Sequence, residues 1–234
     1  MTNLESKAEL SFVSANLNLI GQSNADDNDD SDDIPQLSAH TLAALQEFYN
    51  EEKEKQEKEA SGGNIDMEEN WQLSQFWYDD DTAFILAKEA LRAANYGRIA
   101  CLCAPTLYKK LAEVKPLGCD TKIFEFDKRF AVFGEDFVFY DYKNPLDLPN
   151  SVKEHSFDLV FADPPFLSDE CLTKTAQTIK YLTKEKIILC TGQVMEDVAY
   201  RLLEISPCKF QPKHARNLGN QFACFVNYES ELNK

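Results

Sequence analysis

From residue 70 onward, short apolar runs take turns with segments whose apolar residues recur at helical steps. That alternation predicts an α/β sheet. Five runs read as strands in succession: "RIACLCA" (98–104), "TKIFEF" (121–126), "DFVFYDY" (136–142), "FDLVFA" (157–162) and "KIILC" (186–190). Four helical stretches flank them. "DDDTAFILAKEALRAANYG" carries Asp caps, Phe84, Ala87 and Leu91 on one stripe, and Gly97 as an expected stop; "TLYKKLAEV" is expected to open at Thr106. "SDECLTKTAQTIKYL" has Ser168 or Asp169 as its cap, and "QVMEDVAYRLLEI" follows the fifth strand. The last two runs, "CKFQPKH" and "QFACFVNYE", have only the turn-like "ARNLGN" between them, so they predict an antiparallel hairpin. The expected fold is a seven-stranded, mostly parallel sheet with an antiparallel C-terminal pair and helices on both faces.

The first seventy residues lack this pattern. "SNADDNDDSDD" is a run of like charge without apolar periodicity, which predicts an acidic, disordered segment over 1–37. Residues 38–69 predict one exposed helix and a linker. Ser38 is its N-cap, Leu42, Leu45 and Tyr49 share a face, charged residues follow, and "SGGN" ends it. Residues 70–234 then form the folded domain.

Composition sharpens this division. Net charge is −16, but residues 1–60 hold 14 acidic and 4 basic side chains, a net −10, and residues 61–234 hold 26 and 20, a net −6. Affinity for nucleic acid rests on Lys and Arg neutralising phosphates, so a chain this acidic favours a basic protein partner. No apolar stretch approaches the roughly 18 residues of a membrane span, and "MTNLESKAELSF" lacks a secretory layout, so the expected compartment is the cytoplasm. Seven cysteines without a C-x-x-C pair or a His/Cys cluster suggest reduced, mostly buried thiols, neither a disulfide framework nor a zinc site.

In an open parallel sheet, ligands bind outside the carboxyl ends of the strands. Here strand one runs into "CAPT", strand two into Asp127, strand three into Asp141 and strand four into "DPPF" (163–166), so three strands deliver an acid to one rim. Carboxylates after strands two and three are placed to accept from a ribose diol and an adenine amino group. Asp163 is followed by Pro164 and Pro165, which fix φ and remove two donors, leaving a stiff stretch of acceptors. Such a stretch suits a substrate nitrogen carrying hydrogens, and Phe166 adds a ring to stack on a base or face a cation.

The strand order together with "DPPF" resembles the class I S-adenosylmethionine-dependent methyltransferases that modify amino nitrogens. "NWQLSQFWY", "CAPTLY", "FEFDKRF", "YDYKNPLDLP", "ADPPF", "LCTG" and "VNY" narrow the resemblance to the elongation factor 1-alpha lysine methyltransferase family, earlier taken for N6-adenine DNA methyltransferases. It covers roughly residues 65–230. The resemblance implies a Rossmann-like methyltransferase domain over 70–234 and S-adenosylmethionine as cofactor. Elongation factor 1-alpha is then the protein substrate of a monomeric chain, with no stable nucleic acid and no membrane. It implies that Asp127 holds the cofactor ribose, that Asp141 lies by the adenine, and that Asp163, Pro164, Pro165 and Phe166 line the transfer site. Gln75, Phe76, Trp77 and Tyr78 would cover the pocket from the N-terminal side. The broader class carries a G-x-G motif after strand one, whereas "CLCAPTLY" has no glycine. The cofactor offers a single carboxylate and no phosphate, so a helix N-terminus near Ala104 and Thr106 suffices to hold it.

Methyl transfer to nitrogen is an in-line displacement that asks for positioning and proton removal, with no metal and no covalent intermediate. Asp163 is placed to orient a lysine ammonium or take its proton. Two other readings stay open on sequence: an N6-adenine methyltransferase with Phe166 stacked on a flipped base, and a catalytically silent methyltransferase-like binding subunit, for which the glycine-free loop is the best support.

Overall fold

The computed structural model describes residues 69–216 and 218–234. The expectations for 1–37 and for the helix and linker of 38–69 lie outside the described residues, Glu69 excepted. The elements run α1 (Asp80–Ala93), β1 (Ile99–Leu102), α2 (Pro105–Val114), β2 (Thr121–Glu125), a 3-10 segment (Lys128–Asp136) and β3 (Phe137–Phe139). They continue with β4 (Phe157–Ala162), α3 (Asp169–Leu182), β5 (Thr183–Gly192), α4 (Glu196–Leu203), β6 (Ser206–Pro207) and β7 (Phe222–Val226).

These strands form one seven-stranded sheet in the order β3-β2-β1-β4-β5-β7-β6. Its first five strands are parallel, while β7 pairs antiparallel with both β5 and β6. The expected mixed sheet is therefore the observed one.

Alternation along each strand sorts the core into two layers. In β1, Ile99 and Cys101 face α1 and α2 with Leu86, Leu107 and Leu111; Ala100 and Leu102 face α3 and α4 with Leu172, Ile179 and Ala199. Both faces are thus covered, which is why all four residues of β1 are buried and the strand is apolar throughout. Each fully buried Leu or Phe contributes about 1.5–3 kcal/mol.

The helix ends explain where the sheet's rim begins. Asp79 caps α1 by accepting from the Thr82 N–H at 2.8 Å, with Asp80 and Asp81 in the first turn and Arg92 in the last, each suited to the helix dipole. Ser168 caps α3 by accepting from Cys171 N–H at 3.2 Å. α2 differs from expectation: Ala104 is its N-cap, without a side-chain bond, and Pro105 opens it, leaving Thr106 at the second position.

Gly97 is not the stop of α1. The helix ends at Ala93, and Asn95 and Tyr96 make the turn at φ of 50° and 58°. Gly97 is needed for space, because a Cβ there would lie 2.3 Å from Asp158 Oδ2. That oxygen accepts from the Arg98 N–H at 2.7 Å, and the other carboxylate oxygen from Lys184 at 2.6 Å. Gly97→Ala is expected to displace Asp158 and cost about 1–2 kcal/mol, a fall of several degrees in Tm. In an Asp158→Ala background, thermal unfolding should detect little further loss.

The sixth strand also departs from its sequence. Only Ser206–Pro207 pair with β7, although Cys208 still donates to Cys224 O at 2.7 Å. Pro212 cannot donate to a ladder, and the chain turns away to pair elsewhere. Tyr78 and His214 form an antiparallel bridge, flanked by Asp79 N–H to Lys213 O at 3.0 Å and Ala215 N–H to Trp77 O at 2.8 Å. The alternating stretch "CKFQPKH" thus meets the segment before α1. Among the described residues no helix is long and apolar enough to cross a membrane.

Candidate active site

Strand order reverses between β1 and β4: β1 is followed across the sheet by β2 on one side, while β4 lies on the other. The loops leaving β1 and β4 therefore diverge and open a crevice at their carboxyl ends. A cavity of about 550 Å³ occupies it, a size typical of small-molecule sites.

Its wall gathers segments far apart in sequence. Ala104 comes from the β1–α2 turn and Thr106 from the first turn of α2, Asp141 from beyond β3, and Asp163, Pro164, Pro165 and Phe166 from beyond β4. Phe76, Trp77 and Tyr78 close it from the N-terminal side, together with Gln75. Of the residues singled out from sequence, Asp127 is missing from this wall. Its buried carboxylate is turned to Arg129, whose guanidinium donates at 2.7 and 2.9 Å, and to Gln75 Nε2 at 3.0 Å. It also caps the 3-10 segment by accepting from the Arg129 N–H at 3.0 Å. Arg129 and Gln75 hold the carboxyl below the usual carboxylate range against the opposing effect of burial, the largest single influence on it.

The acid that β2 sends into the cavity is Glu125, its last residue. The expected strand end was one residue too late. Glu125 is 6% exposed; its Oε1 accepts from the N–H groups of Phe126 and Asp127 at 3.1 and 3.2 Å. Burial is the main cause that lifts its carboxyl to about 7.

Asp163 stands at the junction of the other walls. Its N–H donates to Leu102 O at 3.0 Å, which ties the "DPPF" turn to β1, and its Oδ2 accepts from Tyr78 Oη at 2.6 Å. Removal from water raises this carboxyl to about 7, and the charge of Glu125 adds to the rise while Tyr78 opposes it. Two acids that share a cavity and titrate near neutrality are what proton-handling or cation-binding sites display. Phe166 at the rim is 42% exposed and stands edge-on to Tyr142 at 5.8 Å. Asp141 lines the cavity while fixing its own turn, accepting from Lys143 N–H at 2.9 Å and Asn144 Nδ2 at 3.2 Å.

The loop without glycine is intact. Cys103 adopts φ of 53° and donates its N–H to Phe124 O at 2.8 Å, so a non-glycine residue takes the left-handed turn. The N-terminus of α2 begins at the cavity wall, with Ala104, Pro105 and Thr106 among the lining residues, and the N–H groups of a first helical turn have no intrahelical acceptor.

Sequence reading missed several wall residues. His214, Leu218, Gly219 and Asn220 enter from the return between β6 and β7, Phe222 from the start of β7, and Tyr140 from just beyond β3. "CKFQPKH" was legible as a strand-like run, but its pairing with residues 77–79 was not.

Comparison with known proteins gives this crevice relatives. A family model described as "Probable N6-adenine methyltransferase" matches residues 69–230. The chain is 57% identical over 211 residues to a Gallus gallus protein named EEF1A lysine methyltransferase 1, covering 88% of this chain and 99% of that protein. It is 58% identical over 204 residues to the Homo sapiens protein of the same name, covering 86% and 95%. A protein-lysine N-methyltransferase of Caenorhabditis elegans is 49% identical over 213 residues, covering 86% and 97%. Among solved structures, the branched-chain polyamine synthase of Thermus thermophilus, in complex with N4-aminopropylspermidine and 5'-methylthioadenosine, aligns with a TM-score of 0.53 at 13% identity, over 78% of this chain and 62% of that one. That alignment concerns the fold alone. With more than half its residues matched by the family model and its length shared with such relatives, the chain belongs to the EEF1A lysine methyltransferase 1 family.

Proposed function

We propose that the chain transfers a methyl group from S-adenosylmethionine to a lysine side chain of translation elongation factor 1-alpha, in the cytoplasm and as a single chain. The observation that carries this reading is identity of 57–58% to proteins named for that activity, over nearly the whole length of each.

The wall residues fit the cofactor. The α2 N-terminus beside Ala104 and Thr106 receives its carboxylate. Glu125 accepts from the ribose hydroxyls, the role sequence had given to Asp127, and Asp141 lies by the adenine amino group. When bound, S-adenosylmethionine supplies an electrophilic methyl on a sulfonium.

The chain's own residues supply position and proton handling. Asp163, made rigid by Pro164 and Pro165, accepts from the substrate nitrogen and orients its lone pair; Asp163 is also placed to take the ammonium proton. Phe76, Trp77, Tyr78 and Phe166 enclose the lysine stem and face its cationic head, which favours the ammonium's approach and excludes water. The chain's net charge of −16 would favour a basic face on the substrate around the target lysine.

Incubating the protein with methyl-labelled S-adenosylmethionine, elongation factor 1-alpha and duplex or single-stranded nucleic acid tests the reading. Label is expected on elongation factor 1-alpha alone. Label on adenine would favour the activity in the family model's description, and no binding of cofactor would favour a silent subunit.

A further inference from the structure

The wall holds one short contact that the transfer chemistry above does not use. Tyr78 Oη lies 2.6 Å from Asp163 Oδ2, and the tyrosine is only 4% exposed. A bond this short from a neutral hydroxyl to a carboxylate is a charge-assisted one. Tyr78 is itself held from two sides. Its backbone forms the bridge with His214, and its ring packs against the imidazole at 5.0 Å, tilted by 36°; the imidazole in turn meets Phe222 edge-on at 4.6 Å.

We propose that Tyr78 is a positioning residue that fixes the Asp163 carboxylate in one rotamer, so that it accepts from the incoming amine; His214 and Phe222 hold Tyr78 in place. This rests on the reading of Asp163 as the group that faces the amine. The carboxylate has four lone-pair directions. Tyr78 occupies one on Oδ2, leaving Oδ1 for the substrate nitrogen.

The need for such a donor follows from the surroundings. From β2, Glu125 faces Asp163 with like charge; beyond β1, Cys103 contributes a half-buried thiol pushed up chiefly by desolvation, with Glu125 and Asp163 adding to the rise; from β5, Cys190 lies against Tyr78; and beyond β6, His214 packs on it, its imidazole held below the ordinary value chiefly by burial. None of these stabilises the Asp163 anion. Among the described residues Tyr78 alone opposes burial there, and its own hydroxyl, pushed well above 10 chiefly by burial, stays protonated as a donor. Without it, a neutral Asp163 would donate a hydrogen bond where the amine needs an acceptor.

The test is Tyr78→Phe, which keeps the ring, its packing and the backbone bridge. Carbon-13 NMR of the Asp163 carboxyl in the cofactor-free protein should give a midpoint near 7 in the wild type, moved up by about one pH unit in Tyr78→Phe. Glu125 faces Asp163 and titrates in the same range, so both proteins are also measured in a Glu125→Gln background, where the upward shift from Tyr78→Phe should persist. Replacing Tyr78 with 3-fluorotyrosine, a stronger donor of the same shape, should move the midpoint down, and this variant reports even if Tyr78→Phe does not fold.

In methyl transfer, the acid limb of kcat should rise with the same shift, a loss of roughly fivefold at pH 7 that disappears by pH 9. A loss equal at every pH, or an unmoved NMR midpoint in both variants, overturns the proposal. Because the NMR midpoint needs no turnover, an inactive wild type would count against the proposed function and leave this assignment separately decided.

Discussion

Asp163→Ala is expected to abolish methyl transfer, with a loss of at least about a hundredfold in kcat, while S-adenosylmethionine still binds within a few-fold of the wild-type Kd. The carboxylate sits where the "DPPF" turn leaves β4, tied to β1 through the Asp163 N–H and Leu102 O at 3.0 Å. Its removal leaves the amine without an acceptor and takes from the buried Tyr78 Oη its carboxylate partner. The backbone bond to Leu102 does not depend on the side chain, so the turn and the cavity persist. Single-turnover kinetics with elongation factor 1-alpha, beside calorimetry with the cofactor, separates the two effects. A wild-type rate would mean that "FADPPF" merely ends a strand.

Glu125→Gln is expected to weaken cofactor binding by about ten- to a hundredfold, since hydrogen bonds to a charged acceptor contribute about 1.5–3 kcal/mol each. Asp127→Asn, whose side chain does not reach the cavity, should leave Kd within a few-fold. The pH dependence has a definite sign. Glu125 is raised from 4.5 to about 7, so the wild-type affinity should improve as pH rises through 7 and Glu125 ionises, and Glu125→Gln should lose that improvement.

The empty fold responds in the opposite sense. Between pH 4.5 and 7 the folded protein keeps a proton that the unfolded chain has released, so this carboxyl destabilises the fold progressively as pH rises through that window. Glu125→Gln should accordingly unfold at higher temperature than the wild type above pH 7, a gain on the order of 3 kcal/mol, and show no such advantage below pH 4.5. Equal cofactor affinity in wild type and Glu125→Gln would remove this residue from the ribose site.

These two acids also mark what sequence can and cannot reveal. The sheet and its antiparallel end were legible because buried parallel strands are continuous apolar runs and because no helix separates the last two. Asp79 and Ser168 were legible as caps for a local reason: each accepts from an N–H three residues on. Glu125 was not, since the choice between Glu125 and Asp127 depends on where β2 ends and on Arg129 folding back to occupy Asp127. Gly97 looked like a helix stop because its real constraint, the side chain of Asp158, lies 61 positions further on. The wall supplied by His214 and Phe222 was hidden in the same way: its local pattern is a strand's, but its partner is Tyr78, 136 residues earlier. Short-range chemistry could be read along the chain, and long-range pairing could not.

The most direct measurement of the central claim is mass spectrometry of elongation factor 1-alpha from cells that have this protein and from cells that lack it. The account predicts one lysine whose methylation is lost in the deficient cells, returns with the wild-type protein and does not return with Asp163→Ala. Identical lysine methylation of elongation factor 1-alpha in both kinds of cell would contradict it.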